Sequence, residues 1–157
     1  MRELSFVDVD HEIEQRIGCS IREFFDREGE AAFRDCEQQV LADLLNGGRA
    51  TVVATGGGAV LRSENRDILR RTSTVIYLRA LPDDLARRLS RDTQRPLLQV
   101  ADPRQRLRDL YAARDSLYRE AAHMAIDTAH RSAATIVNLA NMQLDMLLPP
   151  DADGGTK

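Results

Sequence analysis

The sequence predicts an α/β protein: a parallel sheet with helices on both faces. Short apolar runs alternate with longer amphipathic stretches, as strands alternating with helices do. The runs over Thr51–Ala54 and 74–78 also lack polar alternation, which suits parallel strands covered on both faces. A chain of 157 residues that is 43% hydrophobic fits one domain with a real core.

Ser5–Asp8 is the first predicted strand, and Phe6-Val7-Asp8-Val9-Asp10 reads as a strand ending in two acids. A short helix follows over 11–17 and closes at Gly18. Ser20 and Glu23 form a capping box for a second helix carrying Ile21, Phe24 and Phe25. A third helix is expected over 30–45, where Phe33, Cys36, Val40, Leu41 and Leu44 recur at helical spacing. Gly47 and Gly48 end it.

The strand Thr51–Ala54 runs directly into Gly56, Gly57 and Gly58. Ser63 is expected to cap a helix reaching Arg71, and 74–78 is another buried strand. Pro82 opens a helix with Asp83 and Asp84 in its positive first turn. The polar stretch 91–103, with Pro96 and Pro103, reads as a long loop of the kind that forms lids. A helix over 104–121, a strand over Met124–Asp127 and a helix over 132–148 complete a single domain spanning 1–148. Residues 149–157 read as a disordered tail.

A net charge of −3 and 4% aromatic residues, with no Trp, argue against a nucleic-acid partner. No apolar run approaches the roughly 20 residues that span a bilayer, so no membrane partner is expected. The start of the chain lacks the basic and apolar regions of a signal peptide. Cys19 and Cys36 have neither metal nor disulfide spacing and read as free core thiols of a cytoplasmic protein.

In a parallel α/β sheet, ligands bind beyond the carboxyl ends of the strands. Asp8, Asp10 and the three glycines all follow strands, so both groups project into one crevice. Glycines there let a ligand approach backbone N–H groups. Two acids beside an anion site suit Mg²⁺ or proton abstraction from a hydroxyl. Arginines recur at Arg34, Arg88, Arg95 and Arg114, and arginine suits carboxylates and phosphoryl charge. The set points to phosphoryl transfer onto a hydroxylated acid.

Five segments give this reading a family. They are Asp8-Val-Asp10 followed by His-Glu-Ile-Glu, Glu28-Gly-Glu-Ala-Ala-Phe33-Arg34, Ala54-Thr-Gly-Gly-Gly-Ala-Val60, Gln94-Arg95-Pro96-Leu-Leu98, and Arg114 four residues before Tyr118. In this order they resemble shikimate kinase, from about Phe6 to about Leu148. The resemblance implies a monomeric P-loop kinase fold and ATP-dependent phosphorylation of the 3-hydroxyl of shikimate in aromatic amino-acid biosynthesis. It implies that Asp10 holds the shikimate hydroxyls and acts as general base, and that Asp8 orients Mg²⁺ through water. Arg34 and Arg114 would clamp the substrate carboxylate, Phe33 would line the pocket, and Gly57 would donate its N–H. Arg95 would close from the lid over the transferring group, and Arg88 and Arg131 would face the nucleotide.

The sequence departs from the family at its start. Members open with a strand, a Gly-x-x-x-x-Gly-Lys-Ser/Thr loop and a helix, a unit of roughly 30 residues. No Gly-Lys-Ser or Gly-Lys-Thr occurs here, and the lone lysine is Lys157. In the family the first strand lies between the third and the fourth, so its absence predicts a gapped sheet with uncovered apolar faces. The expectation is a shortened sequence, inactive without a phosphate loop, whose native form exceeds the 17.6 kDa of this chain by about 3 kDa. Two alternatives stay open: a kinase for another hydroxy acid such as gluconate, and a non-catalytic shikimate-binding module. Tyr111 and Tyr118 read as packing, 104–108 as a solvated helix face, and His11, His123 and His130 receive no role.

Overall fold

The computed structural model describes residues 4–89 and 101–148. The predicted lid with Arg95 lies largely outside the described residues, and the tail lies wholly outside them. The described elements are β1 (Ser5–Asp8), α1 (Val9–Ile17), α2 (Ile21–Leu45), β2 (Thr51–Ala54), a 3-10 turn (Ala59–Leu61) and α3 (Ser63–Thr72). They continue with β3 (Ile76–Arg79), α4 (Pro82–Leu89), α5 (Pro103–Ala121), β4 (Met124–Asp127) and α6 (Ala133–Leu147). The order and type of the elements follow the sequence expectation. The boundaries shift where capping decides them.

Asp8 is the N-cap of α1, its carboxylate accepting from the Asp10 N–H at 2.9 Å. Asp10 therefore lies in the first helical turn and not at a strand end, because the Asp8 cap starts the helix earlier than expected. The helices expected from Ser20 and over 30–45 form one element, α2, interrupted at Gly29. Gly29 has φ 86°, a conformation that a residue without Cβ adopts at little cost. The Phe25 and Phe33 rings meet across this break with centroids 4.6 Å apart.

Ser63 does not cap α3, since Arg62 holds the N-cap position without a side-chain cap bond. The Arg62 guanidinium instead donates to Asp35 at 2.7 Å and Gln38 at 2.9 Å, tying the start of α3 to α2. At the other end of the molecule, Asp102 caps α5 and Ser132 caps α6.

The core packs Val9 and Ile13 of α1 against Phe33, Val40 and Leu41 of α2 and Leu69 of α3. Each such fully buried side chain contributes about 1.5–3 kcal/mol. Cys36 lies partly buried against this cluster, and burial pushes its thiol pKa upward.

The sheet is gapped. β1 pairs with β2 in parallel, with Phe6 opposite Val52, and β3 pairs with β4 in parallel, with Leu78 opposite Ile126. Among the described residues β2 and β3 do not pair, so two two-stranded sheets stand in place of one continuous sheet. Phe6 and Leu78 are accordingly 66% and 55% exposed. Helix α6 has no buried residue, and its Met142 and Met146 face solvent.

Candidate active site

The site is organised around the three glycines after β2. Their loop is fixed from behind by α3. The buried Asn65 amide donates to the Ala59 carbonyl at 3.0 Å, and Arg66 donates to the Val60 carbonyl at 2.8 Å. Ala59 N–H closes the turn onto the Gly56 carbonyl at 3.1 Å.

Each glycine faces a different functional side chain. A Cβ at Gly56 would lie 3.1 Å from Asp10 Oδ1 and 3.7 Å from Glu37 Oε2. At Gly57 it would lie 3.1 Å from the Tyr118 hydroxyl and 3.6 Å from Arg114 Nη1. At Gly58 it would overlap the Arg34 guanidinium. A Cβ at Gly58 would require Arg34 to move, and one at Gly56 or Gly57 would press on its neighbour, which favours glycine at all three positions. The structure thus brings Asp10, Arg34, Gly57 and Arg114 together although α1, α2, β2 and α5 separate them in sequence.

Replacing Gly58 with Ala therefore forces the Arg34 guanidinium off its partner.

Arg34 is held by Glu37, whose carboxylate accepts from Nη1 at 2.8 Å. The Glu37 side chain is 2% exposed and that of Arg34 is 13% exposed, so the pair sits away from water. Burial raises the Glu37 pKa above the usual carboxylate range. The Arg34 hydrogen bond and charge and the Arg114 charge oppose that rise, while the nearby Asp10 charge adds to it. Two acids and two arginines thus form one electrostatic cluster. Glu30 reaches the second Arg34 nitrogen at 3.5 Å, and Arg34 Nε is buried without a hydrogen-bond partner among the described residues. Phe33 is buried in the core, with the Arg34 guanidinium carbon 5.1 Å from its ring centroid.

Tyr118 is more than packing. Its hydroxyl donates to the Gly57 carbonyl at 2.6 Å. Its ring stacks on Tyr77 at 4.9 Å, and the Tyr77 hydroxyl donates to Asp115 at 2.9 Å, which fixes α5 against β3.

A second cluster lies at α4 and the β4–α6 loop. A cavity of about 470 Å³ is lined by Asp84, Arg87, Arg88, His130 and Arg131. Arg88 donates to the Thr128 carbonyl at 2.8 Å, joining α4 to that loop, and Asp84 pairs with Arg87. Buried Thr128 is itself tied to the Arg79 carbonyl through its N–H at 2.9 Å and its hydroxyl at 3.0 Å. The excess of arginine suits a polyanion, and Arg88 and Arg131 both line this cavity.

Among the described residues no three His, Cys, Asp or Glu side chains are grouped to hold a metal. Mg²⁺ itself keeps several waters and takes only one or two carboxylates beside substrate phosphates. Asp8, exposed at the start of α1 beside Asp10, offers such oxygens.

A family model described as shikimate kinase matches residues 1–144. The chain belongs to the shikimate kinase family. It is 51% identical over 157 residues to a shikimate kinase of Ralstonia nicotianae, covering 98% of this chain and 82% of that protein. It is also 51% identical to a shikimate kinase of Paracidovorax citrulli over 151 residues, 94% of this chain and 82% of that protein. Among solved structures it is similar to shikimate kinase from Acinetobacter baumannii in complex with shikimate, with TM-score 0.83 and 43% identity over 92% of this chain and 79% of that one. Shikimate kinase from Bacteroides thetaiotaomicron superposes with TM-score 0.80 at 28% identity, over 92% of this chain and 84% of that one. The family is one of ATP-dependent kinases that phosphorylate an alcohol and use Mg²⁺.

Sequence reasoning missed Glu37, Tyr118 and His130. For Glu37 the signal was present: a charged residue in the apolar stripe Phe33, Val40, Leu41, three positions after Arg34. For Tyr118 it was the i+4 spacing from Arg114, which puts both on one face of α5. His130 has φ 54°, unusual for a residue with a Cβ, but nothing in its spacing announces this.

Proposed function

We infer that the protein transfers the γ-phosphoryl group of ATP to the 3-hydroxyl of shikimate. One observation carries this reading: the glycine loop packs against Asp10, Arg34 and Arg114 at once. A hydroxylated acid bound over the loop meets guanidinium groups for its carboxylate and a carboxylate for its hydroxyl. The shikimate kinase relatives and solved structures above point the same way, and none favours a gluconate kinase or a non-catalytic module.

The geometry and the family resemblance support the following roles. Arg34 and Arg114 bind the carboxylate, and Glu37 holds Arg34 in place. The glycine loop supplies backbone N–H groups, with Gly57 foremost, and Phe33 supports the Arg34 side of the pocket. Asp10 accepts the proton of the attacking hydroxyl. Arg88 and Arg131 hold the nucleotide, and Arg95, which lies outside the described residues, is assigned to the transferring phosphoryl group by the family resemblance alone. Asp8 would hold hydrated Mg²⁺, which supplies charge neutralisation on the phosphates when bound. Phosphoryl transfer depends on such positioning and neutralisation more than on covalent chemistry. Two free cysteines support a reducing, cytoplasmic setting, and family membership supports a monomer.

Calorimetry with shikimate and its methyl ester tests the reading. The ester, lacking the carboxylate charge, should bind about 10- to 100-fold more weakly, as expected for lost hydrogen bonds to charged groups. With γ-labelled ATP, the label should appear on shikimate. Equal binding of acid and ester would refute the assignment of the arginine pair.

A further inference from the structure

A peptide between two glycines is free to rotate, because no Cβ on either side restricts it. The loop at 56–58 contains two such peptides, and which way each points decides whether it offers a ligand an N–H donor or a carbonyl acceptor. The peptide joining Gly56 and Gly57 is fixed locally, since Ala59 N–H holds the Gly56 carbonyl at 3.1 Å. The Gly58 carbonyl is likewise held by Leu61 N–H at 3.1 Å. The peptide joining Gly57 and Gly58 has a different anchor. Its carbonyl accepts from the Tyr118 hydroxyl at 2.6 Å, from a residue 61 positions away in sequence.

We propose that Tyr118 is a positioning residue whose hydroxyl locks the Gly57–Gly58 peptide so that the Gly58 N–H is offered to the bound hydroxy acid beside the Gly57 N–H of the preceding peptide. Rotating that peptide would withdraw the N–H from its present direction and leave the Tyr118 hydroxyl without its acceptor. The carbonyls of all three glycines are committed to protein donors, so the loop's capacity for a ligand lies in its amides. The tyrosine is well placed for the task. It lies one turn after Arg114, and both side chains close on Gly57. Its ring is stacked on Tyr77, whose own hydroxyl is fixed by Asp115, so the donor is not free to wander. The proposal rests on the reading of this loop as the shikimate site.

Tyr118→Phe removes only the hydroxyl and keeps the ring stack. By calorimetry well below the melting temperature, its shikimate Kd should rise about 3- to 10-fold, the effect of one net hydrogen bond. Its ATP Kd should stay within about twofold of wild type, since the arginine cluster at α4 is untouched. In the ligand-free protein the backbone amide resonances of Gly57 and Gly58 should shift and broaden. A merely structural role would lower the melting temperature while leaving shikimate affinity as in wild type, and that result would overturn the proposal. If wild type itself binds no shikimate, the functional reading fails and this inference falls with it. If wild type binds and Tyr118→Phe binds equally well, only the inference fails.

Discussion

Asp10→Asn should lower kcat for shikimate phosphorylation by about 10²- to 10⁴-fold, the usual contribution of a positioned general base. The shikimate Kd should change by less than about tenfold. Asparagine keeps the shape of the side chain and can still hydrogen-bond the hydroxyls, but it cannot take a proton. The geometry makes the test clean. Asp8 fixes the Asp10 backbone through the bond to its N–H, and that bond does not involve the Asp10 side chain. Gly56 leaves the carboxylate room at the loop, where a Cβ would stand 3.1 Å from Oδ1. Steady-state kinetics with calorimetric Kd values separate the two effects. A kcat within about threefold of wild type would remove Asp10 as the base.

Arg34→Ala should raise the shikimate Kd by about 30- to 1000-fold and also destabilise the fold. The substrate loses half of its guanidinium clamp, and truncating one partner of a hydrogen-bonded charge pair in a dry site costs about 2–5 kcal/mol. Glu37 meanwhile keeps its carboxyl in the interior without the Arg34 bond. Burial already pushes its pKa upward, and loss of the arginine removes the main opposing influence, so the carboxyl should take up a proton more readily still. The second substitution Glu37→Gln in the Arg34→Ala background should recover stability without recovering affinity. Thermal unfolding and shikimate calorimetry on the single and double variants read these two outcomes separately. An unchanged shikimate Kd in Arg34→Ala would sink the clamp.

The fold was legible where signals are local. Gly18 with φ 72° and Ser20 accepting from Glu23 N–H stand where the helix end and the cap were expected. Asp10 was placed one element too early because the cap at Asp8 competes with strand pairing over the same few residues. Ser63 looked like a cap, yet the Arg62 contacts with α2 decide how that helix begins. The 3-10 turn after the glycines has no propensity signature and is held by Asn65 and Arg66 from the next helix.

Of the site, the residue types and their order were legible: Asp10, Arg34, Gly57 and Arg114 stand in segments whose sequence alone marks the shikimate kinase family. Chain order and helical period are written locally, and the sequence by itself determined them. What only the tertiary structure decided is how those segments meet: Glu37 beneath Arg34, and the Tyr118 hydroxyl on the Gly57 carbonyl. A contact between residues 61 positions apart leaves no trace in spacing, because it exists only once α5 has packed against the loop after β2.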